Sequence, residues 1–304
     1  MASPELDFIN QMLRDISANS KNASTPTVEQ QRSQMSDTML ELAKDASTED
    51  IQCQPVDIEG VPARWFEASG TADDGVVLYF HGGGYVLGSL KTHAELMGRC
   101  SRACGVKVLG VDYRLAPENI FPAAVEDGVK SYRWLLDQDI DPQRIMLAGD
   151  SAGGGLVMAT ILSLRDQGLP LPVGATLFSP WVDLTMSGAS MESRRAFDPI
   201  VTPEGLHAMA TLYRGDVEAS QPLISPLFAD LSKLPPLLIQ VGDYEVLLSD
   251  SQQLAAKAKA AGVAVTYQEW EKAFHVFHAV PALPESADAL QSMGDFYRQL
   301  VGSS

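Results

Sequence analysis

The chain has 304 residues, 45% of them hydrophobic, and a formal net charge of −17 at pH 7. This length suffices for one large globular domain with an accessory layer. The negative charge argues against nucleic acid or an anionic membrane surface as a partner, because both repel an acidic protein. No apolar stretch approaches about 18 residues and the N-terminus does not resemble a signal peptide, so we expect a cytoplasmic protein without stable membrane insertion.

The first predicted elements are two amphipathic helices at about residues 4–18 and 27–45, joined by a polar segment at 20–26. From residue 51 onwards, apolar strand-like runs alternate with helical ones. Such alternation predicts a mostly parallel sheet with helices on both faces and an active site at the carboxyl ends of the strands. The predicted strands lie near residues 51–58, 63–67, 76–80, 106–111, 144–148, 173–178, 236–241 and 264–270, and the helices near 91–104, 122–137, 153–167, 249–262 and 283–300.

A Gly-rich sequence, HGGGY at residues 81–85, directly follows the predicted strand at 76–80. Three consecutive glycines leave backbone N–H groups uncovered, so two of them can donate to a single oxygen atom. A plain tight turn is the alternative for such a run in isolation. A phosphate-binding loop is disfavoured, because the sequence here matches neither G-x-x-x-x-G-K-[ST] nor G-x-G-x-x-G.

Two of the three cysteines, Cys100 and Cys104, lie four residues apart on a predicted helix. Without a signal peptide, this spacing favours buried thiols over a disulfide or a metal pair. The sequence also has no H-E-x-x-H or C-x-x-C pattern, so it implies no metal and no other cofactor.

The pentapeptide GDSAG at residues 149–153 follows a predicted strand and precedes a predicted helix. In this context G-x-S-x-G is typical of a nucleophile elbow, a sharp turn that exposes the serine hydroxyl at the N-terminus of a helix. The pattern by itself occurs by chance in roughly one chain in ten of this length. Its position and the Gly-rich loop upstream make Ser151 the candidate nucleophile.

The alternation of strands and helices breaks between Leu184 and Ser225. Within this stretch, Thr202 is followed by proline and glutamate, a sequence typical of a helix start. The helices before residue 51 also lie outside the alternation, so the sheet requires neither segment. We therefore divide the chain into an N-terminal cap segment (1–50), a first part of the catalytic core (51–184), a second cap segment (185–222) and a second part of the core (223–304).

Several motifs in the same order resemble the hormone-sensitive-lipase-like esterases of the α/β-hydrolase fold. They are HGGGY, the segment DYRLAPE at 112–118 and GDSAG, and similar stretches follow at 179–184, 225–227 and 234–242. The resemblance spans roughly residues 55–290. It implies an α/β-hydrolase fold with a helical cap built from the two segments outside the alternation.

The resemblance also implies a base and an acid, which in this fold follow the serine in the order Asp or Glu, then His. It places the base at His275, the first histidine of FHVFH, and leaves His278 a structural residue. It places the acid at Glu245, where many family members carry aspartate and a nearby proline that this chain lacks. Asp243, two residues nearer the end of the strand, is the alternative acid.

The oxyanion hole is expected from three backbone N–H groups. Gly83 and Gly84 are carried over from the family's HGGG motif, and Ala152 follows the nucleophile, as the elbow requires.

Together these residues predict a serine carboxylesterase that hydrolyses short- to medium-chain esters of small molecules through an acyl-enzyme. Amide or lactam hydrolysis on the same triad is one alternative. A non-catalytic ligand-binding protein is another; the plant gibberellin receptors resemble this family but lack the catalytic histidine, so His275 argues against it. If the N-terminal helices do not form a cap, they decorate the surface or form a homodimer interface.

Overall fold

The computed structural model describes residues 2–19, 26–44 and 46–302 of the chain. The predicted polar joint at 20–26 lies outside the described residues, apart from Pro26, and so does residue 45 at the end of the second predicted helix. The chain begins with the two helices that the pattern predicts, α1 (Pro4–Asn19) and α2 (Val28–Leu42).

The centre of the structure is one sheet. Within the described residues its eight strands are β1 (Ile51–Ile58), β2 (Val61–Ala68), β3 (Ala72–Phe80), β4 (Val106–Val111), β5 (Ile145–Asp150), β6 (Gly174–Phe178), β7 (Leu237–Gly242) and β8 (Val265–Trp270). Their order is β1-β2-β4-β3-β5-β6-β7-β8. The pairs β1–β2 and β2–β4 are antiparallel, and every other pair is parallel. The mostly parallel sheet confirms the predicted fold class.

Helices cover both faces of this sheet. Successive side chains of a strand point to opposite sides, so a strand that is apolar throughout needs cover on each face. In β3, Leu78 and Phe80 belong to the larger hydrophobic cluster, whereas Val77 and Tyr79 belong to a second cluster on the other face. Among the described helices, none has both the length and the apolar character needed to cross a bilayer. The α-helices that follow α2 in the described residues are α3 (Ala94–Cys104), α4 (Ala123–Asp137), α5 (Ala152–Asp166), α6 (Ser190–Ser193), α7 (Pro203–Arg214), α8 (Leu248–Ala260) and α9 (Pro284–Gly302).

The helix predicted in the second cap segment is α7. It begins as the sequence indicates, since the Thr202 hydroxyl accepts a hydrogen bond from the Gly205 N–H at 3.1 Å. Its inner face packs on the Gly-rich loop, where the ring of Tyr213 stacks on Tyr85 with centroids 3.8 Å apart. The second cap segment therefore contacts the carboxyl end of the sheet directly.

The N-terminal helices reach the same end of the sheet. Leu6 and Ile9 of α1 belong to a third hydrophobic cluster with Phe274. From α2, the Arg32 guanidinium donates to the carbonyl of Val86 at 2.9 Å and forms an ion pair with Glu118 at 2.7 Å. This interaction links α2 to the segment that follows the Gly-rich loop.

Replacing Arg32 by alanine is expected to loosen α2, because the guanidinium also donates to the Ala116 carbonyl and both carboxylate oxygens of Glu118. Amide hydrogen exchange should become faster in residues 28–42, with little change in global stability, because exposed ion pairs contribute roughly 0–1 kcal/mol. Arg298→Ala removes an exposed ion pair on α9 and serves as the control. Wild-type exchange rates across α2 in the Arg32 variant would contradict the inference that Arg32 holds this helix in place.

Candidate active site

Ser151 stands at the turn between β5 and α5. Its backbone, with φ 53° and ψ −121°, adopts a conformation that non-glycine residues rarely occupy. Close packing holds this turn in place, because a Cβ atom on Gly153 would overlap the carbonyl oxygen of Phe80. The Ser151 N–H donates to the Phe178 carbonyl at 2.8 Å, which fixes the turn to the end of β6. The elbow predicted from GDSAG is therefore present.

The structure brings Ser151, His275 and Glu245 into one chain of contacts. The Ser151 hydroxyl lies 2.9 Å from Nε2 of His275, and the Nδ1 atom of His275 lies 2.8 Å from Oε2 of Glu245. The three residues come from the segments that follow β5, β8 and β7, at the carboxyl ends of parallel strands. A nucleophile, a base and an orienting carboxylate require this geometry.

The environment of His275 favours the protonated imidazole. Burial by itself lowers the pKa of His275, but the hydrogen bond that Glu245 accepts from the imidazole and the charge of that carboxylate raise it. The charges of Asp198 and Asp150 add to it, so the pKa of His275 is raised above its usual value. The site is therefore arranged to stabilise an imidazolium.

The two alternative residues lie outside this chain of contacts. Asp243 accepts a hydrogen bond from the Lys272 N–H, and within the described residues it forms no hydrogen bond or ion pair with His275. The ring of His278 is buried between Phe178 and Phe277, with centroid distances of 4.2 and 4.0 Å. Burial lowers the pKa of His278 to about 3, which keeps this ring neutral.

The Gly-rich loop leaves the sheet beside the elbow, since Phe80 at the end of β3 pairs with Gly149. Gly83 and Gly84 have φ values of 119° and 64°, which glycine adopts without strain. In the part of the chain that the structure describes, neither of their N–H groups donates to another protein group. Ala152 opens α5, and the first N–H groups of a helix have no intrahelical acceptor.

Asp150, which the sequence analysis did not single out, joins the elbow to the Gly-rich loop. Its Oδ1 atom accepts from the Gly82 N–H at 3.0 Å and the Tyr79 hydroxyl at 2.8 Å, and its Oδ2 atom lies 3.3 Å from Nε2 of His93. Burial by itself raises the pKa of Asp150, but His93 and Tyr79 outweigh it and lower that pKa. The motif G-x-S-x-G allows any residue at position 150. The only local sign of this role in the sequence was therefore a carboxylate inside the motif.

Comparison with known proteins agrees with this architecture. Residues 77–279 match the family described as alpha/beta hydrolase fold. The chain is 40% identical to an acetyl-hydrolase of Streptomyces hygroscopicus, over 99% of both proteins. It is 36% identical to an esterase of Acinetobacter venetianus, over 82% of this chain and 83% of that protein.

The crystal structure of an esterase from the bacterial hormone-sensitive lipase family is also similar. It has 44% sequence identity and a TM-score of 0.93, with 99% of this chain and 100% of that chain covered. These similarities confirm the predicted enzyme class, a carboxylic ester hydrolase. The chain belongs to the α/β-hydrolase fold family and, within it, to the hormone-sensitive-lipase-like carboxylesterases.

Proposed function

We propose that this carboxylesterase hydrolyses small-molecule esters through a triad of Ser151, His275 and Glu245 and an acyl-enzyme intermediate. The observation that carries the proposal is the unbroken chain of contacts, 2.9 Å from serine to histidine and 2.8 Å from histidine to glutamate. A non-catalytic role is disfavoured, because it requires no base within reach of the serine hydroxyl.

The first half of the reaction acylates the enzyme. The Ser151 hydroxyl attacks the ester carbonyl while Nε2 of His275 accepts its proton, and the Glu245 carboxylate stabilises the imidazolium. His275 then protonates the alkoxide as the ester bond breaks, and the alcohol leaves. In the second half, water attacks the acyl carbonyl as His275 accepts its proton; the bond to Oγ of Ser151 then breaks, His275 returns the proton to that oxygen, and the carboxylic acid is released.

The backbone N–H groups of Gly83, Gly84 and Ala152 act as the oxyanion hole in both halves. They stabilise the negative charge that develops on the carbonyl oxygen, and removal of one such donor in another enzyme costs about 2.7–4 kcal/mol. Two observations support this role: both glycines have a positive φ, and neither of their N–H groups donates to another protein group within the described residues, so both can donate to an oxyanion.

We further infer that residues 1–50 and 185–222 form a cap that restricts the substrate to esters with short or medium acyl chains. The sulfur of Met209 in α7 lies against Gly84, over the proposed oxyanion hole. From α1, Leu6 belongs to one hydrophobic cluster with Phe274, which precedes His275. A cap anchored on both the Gly-rich loop and the histidine loop limits the length of a bound acyl chain and excludes water.

Paraoxon is expected to phosphorylate the Ser151 hydroxyl and abolish hydrolysis of p-nitrophenyl butyrate, because the activated serine attacks phosphorus as it attacks an ester carbonyl. Peptide mass spectrometry should locate the adduct on Ser151, and Ser151→Ala should remain unlabelled and inactive. An adduct on another serine would contradict the assignment. The corresponding butyranilide, assayed in parallel, tests for amide hydrolysis on the same residues.

Replacing Glu245 by glutamine is expected to lower kcat by about 10⁴-fold, as when the aspartate of another triad becomes its amide. The acid limb of the kcat/KM profile should also move to lower pH. Neutral His275 is the active base, and Glu245 raises its pKa above the usual value of about 6.5; without the carboxylate, burial lowers that pKa. Asp243→Asn is the matched control and should retain the wild-type rate and profile. Equal losses at both positions would refute the choice of acid.

Met209→Ala is expected to extend the range of substrates towards longer acyl chains, because it removes a side chain that lies over Gly84. The kcat/KM ratio of p-nitrophenyl octanoate to p-nitrophenyl butyrate should rise about tenfold. Thr211→Ala, on the exposed face of the same helix, controls for effects on the helix itself. The same ratio in both variants and the wild type would exclude Met209 from the acyl pocket.

A further inference from the structure

The buried side chain of Ser179, directly after β6, contacts Glu245 and the loop that carries His275. Its hydroxyl donates to Oε1 of Glu245 at 2.7 Å and accepts from the N–H of Val276 at 3.2 Å. Val276 is the residue that follows His275. A single hydroxyl therefore joins the carboxylate to the loop that carries the imidazole.

The two carboxylate oxygens of Glu245 have separate partners. Oε1 accepts from the Ser179 hydroxyl and from the Gly242 N–H at 2.6 Å. Oε2 lies 2.8 Å from Nδ1 of His275. Because glutamate has one more rotatable bond than aspartate, its carboxylate needs more restraint to hold one orientation. The two donors to Oε1 supply this restraint and leave Oε2 directed at the imidazole.

The backbone around Ser179 indicates that the hydroxyl is held in place at a cost. Ser179 has φ 48° and Val276 has φ 53°, and both values lie in the left-handed region. This region is unfavourable for serine, and more so for a β-branched residue. The Ser179 N–H is fixed by the Gln240 carbonyl at 2.7 Å, and its hydroxyl satisfies the N–H of the strained Val276.

We propose that Ser179 is a positioning residue, which fixes the Glu245 carboxylate relative to the His275 loop so that this carboxylate orients the imidazole for each proton transfer. It touches neither the substrate nor the nucleophile in the reaction described above. The proposal rests on the proposed triad, since Ser179 acts through Glu245.

Ser179→Gly tests this role, because glycine adopts a positive φ without strain and removes only the side chain. We expect kcat for p-nitrophenyl butyrate to fall roughly 10- to 100-fold, as for loss of a buried hydrogen bond to a charged group. KM should stay within about twofold. Ser179→Ala, which keeps the unfavourable backbone, should show the same loss of kcat with a lower Tm. If one of the two variants folds poorly, the other decides.

Ser101→Ala is the matched control. The Ser101 hydroxyl is also buried, donates to the Val106 carbonyl at 2.8 Å and accepts from the Ala68 N–H at 3.0 Å, remote from the triad. This variant should lose thermal stability and retain kcat. If kcat falls equally in the Ser101 and Ser179 variants, or is unchanged in a folded Ser179 variant, the positioning role is wrong.

A double-mutant cycle with Glu245→Gln separates this proposal from the proposed triad. If Ser179 acts through the carboxylate, Ser179→Gly should change kcat by less than about twofold in the Glu245→Gln background. A full 10- to 100-fold loss in that background would overturn the proposal. Wild-type activity of the Glu245→Gln variant would instead overturn the proposed triad. If Glu245→Gln is impaired but Ser179→Gly has wild-type activity, only the role of Ser179 is overturned.

Discussion

The backbone of the nucleophile turn packs directly against the end of β3, and the geometry of the site depends on this contact. Only a glycine at position 153 permits it, because any side chain there would overlap the Phe80 carbonyl. The strained conformation of Ser151 persists because its surroundings over-determine it. The same contact places the Gly-rich loop beside the serine, and Asp150 fastens the two loops together. The nucleophile and the proposed oxyanion donors therefore belong to one preorganised unit.

Buried carboxylates give this unit its electrostatic character. Asp198, from the second cap segment, accepts from the N–H groups of Val201 and Val246 at 2.9 Å, and Glu245 and Asp150 are likewise held by donors. Each anion is thus paired with dipoles or hydroxyls, which offset part of its desolvation cost. Their combined charge raises the pKa of His275. The segment 185–222 therefore contributes, through Asp198, to the electrostatic environment of His275.

Helix α7 and the Gly-rich loop also share an aromatic contact. Tyr85, directly after the three glycines, has φ 62°, and its buried ring lies parallel to that of Tyr213 with an interplanar angle of 5°. Burial raises the pKa of Tyr85 further above its usual value, so its hydroxyl stays protonated. The stack connects α7 to the loop that carries the proposed donors.

The sequence by itself determined the order of strands and helices, the elbow at Ser151 and the Gly-rich loop, because apolar periodicity and turn chemistry are local properties of the chain. It left two carboxylates two residues apart as candidate acids. Only the tertiary structure gives these two carboxylates different partners, since Glu245 contacts His275 and Asp243 accepts from a backbone N–H. The bond from Ser179 to Glu245 spans 66 residues. No local pattern encodes such a contact, because it forms only when β6 and β7 pair in the sheet.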